Sequence, residues 1–230
     1  VVAPSAGNHA QAVAFAARSA GVPATVYMPE AASLAKVGAT EGYGASVRLV
    51  GSSVEDSVAA AVADAESDGR TLVHPFDDEL VIAGQGTVGL EILEDVPDVD
   101  AIVVPLGGGG LLSGIALAVK SQRPDVRVIG VEAAGCAPYV ASLEHGEIHP
   151  AAQTETIADG IAVKHPGQIT FGLVREHVDD VVTVTDAEIG MTIVQLLERT
   201  KAVVEGAGAV GLAALLAGRV QAKRAVAVLS

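Results

Sequence analysis

The chain has no tryptophan and only 3% aromatic residues, so it has little with which to stack on single-stranded nucleic acid. Hydrophobic residues still make up 50% of its 230 residues, so the core must be built from Ala, Val, Leu and Ile. Basic residues are few: 14 Lys and Arg stand against 28 Asp and Glu, a formal net charge of −14. Such a surface repels phosphate backbones and anionic membranes, and the scattered basic residues form no patch; nucleic acid and membrane are excluded as partners. The acidity serves solubility or marks a salt-adapted cytoplasm, and composition leaves both open. A single cysteine, Cys136, excludes an intramolecular disulfide and fits a reducing compartment. There is no basic leader, and the longest weakly polar stretch, residues 206–218, is too short and too rich in glycine to span a bilayer. A cytoplasmic location is expected. The chain also lacks an initial methionine and opens at Val1 on what reads as a strand end, so a fragment of a longer protein is expected.

What the sequence does hold is alternation. Short β-branched runs at residues 24–28, 46–50, 71–74, 101–104, 126–131, 181–184 and 225–229 read as buried strands. Helical patterns lie between them at 10–20, 33–43, 54–68, 80–93, 111–122, 186–199 and 207–216. This order predicts an α/β architecture of parallel sheets covered on both faces. The helix after Thr185 is the clearest: Thr185 and Glu188 form a capping box, and Ile189, Ile193, Leu196 and Leu197 are expected along its buried face. Pro75 stops a strand and the pair Asp77, Asp78 can start the next helix, which sets a domain boundary: 1–74 as a small α/β domain and 75–230 as part of a larger one. Residues 138–167 carry no clear period and read as a long loop.

Four constellations point to chemistry. Gly107, Gly108, Gly109 and Gly110 follow a strand and precede a helix, so their backbone can approach an anion whose charge the helix dipole favours. No Gly-Lys-Ser/Thr follows, so this is not a P-loop, and a phosphate is expected rather than a nucleotide. Ser5-Ala6-Gly7-Asn8-His9-Ala10-Gln11 also opens a helix; it reads as plain capping by Ser5 or Asn8, or as a site for a carboxylate. Two such helix starts suggest a ligand with two anionic groups. Glu205 sits in a glycine-rich turn before a helix, and Ser230 ends the last strand, where ligands of α/β folds gather. There is no Gly-x-Ser-x-Gly elbow. The six histidines show no helical metal spacing: His145 and His149 lie in the irregular segment and read as surface residues. Cys136 reads as a small buried residue.

Taken in order, Ser-Ala-Gly-Asn-His-Ala-Gln (5–11), His-Pro-Phe-Asp-Asp (74–78), Ile-Ala-Gly-Gln-Gly-Thr (82–87), Gly-Gly-Gly-Gly-Leu (107–111), Thr-Ile-Ala-Asp-Gly (156–160) and Glu-Gly-Ala-Gly-Ala (205–209) resemble the threonine dehydratase / serine racemase family of fold-type II pyridoxal-phosphate enzymes. The resemblance covers essentially the whole chain. It implies two parallel-sheet α/β domains like those of tryptophan synthase β, with the cofactor in the cleft between them. It further implies that Gly107, Gly108, Gly109, Gly110 and Leu111 cradle the cofactor's phosphate and that Asn8 bonds the pyridine ring's hydroxyl oxygen. Ser5, Ala6, Gly7, Asn8 and His9 would hold the carboxylate of an amino-acid substrate. Ser230 would face the pyridine nitrogen and Glu205 the ring edge. The family also implies a homo-oligomer, dimer or tetramer, and a place in isoleucine biosynthesis or in serine and threonine catabolism.

Two departures from the family pattern bear on activity. The family's Schiff-base lysine stands in a Ser-Phe-Lys-type motif upstream of the asparagine loop, and none of the five lysines here stands in such a context. A lysine-less amino-acid-binding homologue is the non-enzymatic alternative. Serine racemases carry a serine as acid/base directly before Gly-Asn-His, where this chain has Ala6; Phe76 stands where racemases tend to have Asn. Both favour dehydration and deamination of L-threonine to 2-oxobutyrate and ammonia, with L-serine giving pyruvate, over racemisation. Cysteine synthases and threonine synthases usually read Ser-Gly-Asn-Thr in this loop, which His9 breaks. The racemases' structural cation site is incomplete: Glu132 is kept and Cys136 could lend a carbonyl, but Pro138 replaces a carboxylate.

Overall fold

Apolar runs with no polar face suit strands covered on both sides of the sheet, and the strand at Ala101–Pro105 is buried throughout. The edge strand Ser46–Leu49, expected to be buried, is instead mostly exposed, because it has a neighbour on one side alone. The computed structural model describes the backbone of residues 1–230 and every side chain except that of Glu55. It divides into two units, Val1–Pro75 and Phe76–Ser230.

The first unit holds β1 (Val2–Pro4), α1 (Asn8–Ser19), β2 (Thr25–Met28), α2 (Leu34–Gly42), β3 (Ser46–Leu49) and α3 (Val54–Asp68). Its sheet runs β1-β2-β3, all parallel, with Val2 opposite Thr25 and Thr25 opposite Ser46. Period-two alternation sends Val26 and Met28 to a cluster with Ala10, Ala14 and Ala17, and Tyr27 to the other face with Val2 and Ala61. α3 starts on a capping box of Ser53 and Asp56 and ends on left-handed Gly69. The strand expected at 71–74 shrinks to one bridge, Leu72 beside Val2. Pro75 brings no N–H with which to extend the ladder.

The second unit holds α4 (Glu79–Asp95), β4 (Ala101–Pro105), α5 (Gly110–Gln122), β5 (Arg127–Ala133), α6 (Pro138–His145), α7 (Gln168–His177), β6 (Asp180–Val184), α8 (Asp186–Thr200), α9 (Gly206–Leu216) and β7 (Ala225–Ala227). The sheet order is β6-β5-β4-β7, all parallel. Ile102 and Val104 face one cluster with Leu112, Ile115 and Val119 of α5, while Ala101 and Val103 face another with Ala209, Val210 and Ala213 of α9. The chain steps outward from β4 to β5 and β6, then returns to lay β7 on the free edge of β4. That reversal makes the carboxyl end of β4 a topological switch point, the place where ligands of open α/β sheets bind.

Three expectations are corrected. Residues 138–167 are not one long loop, because α6 occupies Pro138–His145 and a 3-10 turn occupies Asp159–Ile161. On α8, Leu197 is 50% exposed, and the buried face is completed by Thr192 with Ile189 and Leu196. The last strand is only Ala225–Ala227. Among the described residues, no helix is long and apolar enough to cross a membrane.

Candidate functional site

The tetraglycine turn leaves the carboxyl end of β4 and enters α5 at the switch point. Gly109 lies at φ +96°, a left-handed conformation that side chains disfavour. Space forbids them as well. A Cβ on Gly107 would stand 2.9 Å from the Ile161 Cα, one on Gly108 would enter the Phe76 ring, one on Gly109 would meet the Tyr139 hydroxyl, and one on Gly110 would stand 2.9 Å from the Phe76 Cα. The glycines are thus demanded by the protein packed around the loop. Among the described residues the amides of Gly107, Gly108, Gly109 and Gly110 find no acceptor, and α5 has no side-chain cap. Buried N–H groups rarely stay unpaired. Free amides in a glycine turn at the start of a 13-residue helix are the donors that an anion the size of a phosphate requires, so the residues present fit that group. Leu111, next along α5, is half-buried against the core.

Three buried hydroxyls brace this loop from behind. Thr170 Oγ1 donates to the Gly108 carbonyl at 2.9 Å. The Tyr139 hydroxyl lies 3.0 Å from the same carbonyl and 2.9 Å from Thr170 Oγ1, and burial pushes its phenol pKa upward. Ser113 of α5 donates to the Thr170 carbonyl at 3.3 Å. Two carboxylates then hold the helices that carry the Tyr139 and Thr170 hydroxyls. Asp77 accepts the amides of Gln168, Ile169 and Thr170 at 2.9, 2.9 and 3.1 Å, capping α7. Glu132, fully buried at the end of β5, accepts the amides of Tyr139 and Val140 at 2.9 and 3.0 Å, capping α6. Asp78, beside Asp77, caps α4 through the amides of Leu80 and Val81. Sequence reasoning missed Tyr139, Thr170 and the reach of Asp77; Pro138 at the first position of α6 and Gly146 after it were the available signals for that helix.

The cation reading of Glu132 and Cys136 finds a different arrangement. Both Glu132 oxygens are engaged by α6 amides, and among the described residues no group of three His, Cys, Asp or Glu gathers to hold a metal. Burial lifts the Glu132 carboxyl to about 7 even against its two amide bonds. Burial, together with the Glu132 charge, pushes the Cys136 thiol up to about 11, so it is a protonated interior group.

Glu205 is the residue before α9, whose glycines also serve packing: a Cβ on Gly206 would enter the Ile157 carbonyl, and one on Gly208 would stand 2.6 Å from the Ser230 carbonyl. Ser230 follows β7, neighbour of β4 in the sheet, so it and the glycine loop share the carboxyl edge.

In the first unit, Ser5, Ala6 and Gly7 link β1 to α1. Neither Ser5 nor Asn8 caps the helix; Gly7 is its N-cap with no side-chain bond, and Ser5 Oγ instead accepts the Gly7 amide at 3.1 Å. The Ala10 amide turns back to the Gly7 carbonyl. Asn8 is exposed, and Ala6 packs its methyl against the Ala10 and Ala14 cluster. The His9 Nε2 stands 3.0 Å from the Val73 carbonyl, which requires Nε2 to carry the proton. Burial holds the His9 pKa below its ordinary value, so the ring is neutral.

These features define a parallel α/β chain with an anion-ready loop at its switch point. The chain matches the pyridoxal-phosphate dependent enzyme family over residues 1–230 and belongs to it. It is 56% identical over 220 residues to an L-threonine ammonia-lyase of Geobacter sulfurreducens, covering 96% of this chain and 55% of that protein. It is 47% identical over 234 residues to the catabolic L-threonine dehydratase of Escherichia coli (strain K12), covering 100% of this chain and 71% of that protein. Among solved structures it is similar to the threonine deaminase of T.th. (TM-score 0.91, 42% identity, 97% of this chain and 74% of that one) and to maize serine racemase (TM-score 0.90, 41% identity, 94% and 65%). The chain spans about half the length of the L-threonine ammonia-lyases of Geobacter sulfurreducens and Thermotoga maritima. Its fold is that of the fold-type II pyridoxal-phosphate enzymes.

Proposed function

We propose that the protein carrying this chain is a pyridoxal-phosphate-dependent threonine ammonia-lyase, converting L-threonine to 2-oxobutyrate and ammonia, with L-serine to pyruvate as a side activity. The observation that carries this is the 56% identity, over 96% of the chain, to a protein named for that activity. Bound pyridoxal phosphate supplies an electron sink that makes the Cα proton of an amino acid removable. The chain's own residues do the holding. The amides of Gly107, Gly108, Gly109 and Gly110, with Leu111 beside them, take the phosphate. Asn8 takes the ring's hydroxyl oxygen, Glu205 the ring edge, and Ser230 the ring nitrogen, where a neutral hydroxyl limits protonation. The loop of Ser5, Ala6, Gly7, Asn8 and His9 takes the substrate carboxylate. His9 contributes its backbone amide there, since its ring is committed to Val73. No lysine of this chain is assigned the Schiff-base role. The proposal extends to a small amino-acid-binding domain and a larger cofactor-binding one, to a cytoplasmic homo-oligomer, and to a role in amino-acid metabolism.

The test is made on the intact protein: absorbance near the visible edge from bound cofactor, with 2-oxobutyrate assayed after addition of L-threonine. Cofactor-dependent 2-oxobutyrate supports the proposal; bound cofactor without 2-oxobutyrate overturns it. Serine racemase is the second reading, favoured by the likeness to the maize enzyme. Ala6 opposes it, because a methyl group cannot move a proton to the opposite face of Cα. D-serine from the unaltered protein would favour the racemase; D-serine only after Ala6→Ser would favour the lyase.

A further inference from the structure

Gly108 carries a carbonyl that two buried side-chain hydroxyls address at once. Tyr139 comes from α6 and Thr170 from α7, and both are fully buried. The peptide joining Gly108 to Gly109 is trans. In a trans peptide the carbonyl of one residue and the N–H of the next point in opposite directions across one plane. Fixing the Gly108 carbonyl onto the hydroxyl pair therefore aims the Gly109 N–H away from it. Gly109 cannot adjust locally: it is already at φ +96°, with the Tyr139 hydroxyl and the Thr170 Cβ against the position of its missing Cβ. A glycine loop without such a brace would sample many peptide orientations and lose entropy on gripping an anion.

We propose that Tyr139 and Thr170 are positioning residues that set the 108–109 peptide plane and so aim the Gly109 amide at the cofactor's phosphate. This rests on the phosphate-loop reading above and adds how that loop is preorganised. Both hydroxyls bond the Gly108 carbonyl and would act on the phosphate through the Gly109 amide, so the effect is specific to the phosphorylated cofactor. Ring contacts are common to pyridoxal phosphate and pyridoxal, and the hemiacetal that pyridoxal forms with its free hydroxyl is the same offset for every variant. The change in the ratio of their dissociation constants between variants therefore isolates the phosphate grip.

The experiment titrates both compounds into the cofactor-free intact protein, unaltered and as Tyr139→Phe, Thr170→Val and the double variant. A hydrogen bond to a charged group is worth about one decade or more in affinity, so the double variant should lose about tenfold of its preference for the phosphorylated compound. Each single variant keeps one hydroxyl on Gly108 and should lose less. Thr170→Ser should keep the preference. Equal weakening toward both compounds, or no change in the ratio, would overturn the proposal. Should the double variant be insoluble, Thr170→Val against Thr170→Ser decides: a lowered ratio in Val alone supports the brace, and equal ratios overturn it. An unaltered protein with no preference for the phosphorylated compound would overturn the phosphate-loop reading itself, and the brace with it.

Discussion

Glu132 offers the most direct check on how the interior is balanced. It is fully buried, its carboxylate accepts two amides of α6, and its pKa still rises from 4.5 to about 7 because lost hydration outweighs the two bonds. In the unfolded chain the same group titrates near its ordinary value. Between about 4.5 and about 7 the folded protein therefore holds more protons, and its stability falls as pH rises through that window. The stabilising contribution is complete below the unfolded value and gone above the folded one. A rise of that size corresponds to about 3 kcal/mol. Glu132→Gln abolishes this titration. It also turns an amide donor toward one of the two α6 N–H groups, at a pH-independent cost of about 1–3 kcal/mol. The assay is urea unfolding of the intact protein and of Glu132→Gln from about pH 5 to about pH 8.5, a range chosen to cross the folded value, followed by a signal from the second unit. The advantage of the unaltered protein over the variant should fall by up to about 3 kcal/mol across the range, reversing in sign where the pH-independent cost is smaller than that, since the variant lacks only this proton. Gaps that stay constant within about 0.5 kcal/mol would refute the claim that desolvation prevails at Glu132.

Gly109→Ala forces a side chain into φ +96° and onto Tyr139 and Thr170; it should cost about 2–4 kcal/mol and weaken pyridoxal-phosphate binding, read by thermal melting and cofactor titration. Gly190→Ala on α8 is the opposite case, a helical glycine with open space where a Cβ would go, and should raise stability by about 0.5–1 kcal/mol in urea melts. Asp77→Ala removes the acceptor of three α7 amides and should cost about 1–2 kcal/mol, with faster hydrogen exchange at Gln168, Ile169 and Thr170; Asp77→Asn should fall between.

The parts of the fold legible in the sequence are those whose signals are local. β4 and β5 show as apolar runs because both faces of a parallel sheet are covered. α8 was readable from Thr185 and Glu188, three residues apart, and the structure holds both bonds of that box. The glycine loop was readable because four glycines between a strand and a helix have few other uses. Leu197 was misjudged because periodicity marks a stripe wider than the neighbouring elements cover.

Composition and spacing by themselves thus determined the alternating α/β order, the central strands, most helices and the place of the glycine loop between a strand and a helix. Tertiary structure alone decided what starts α6 and α7, since their caps come from Glu132 on β5 and from Asp77, which is 91 residues before Gln168. It alone revealed why each glycine of the loop is a glycine, because the obstructing atoms belong to Phe76, Tyr139 and Ile161. The physical reason is one of range. Backbone propensity and capping boxes act over three or four residues, whereas desolvated carboxylates, buried hydroxyls and missing Cβ atoms take their meaning from whatever the fold brings against them.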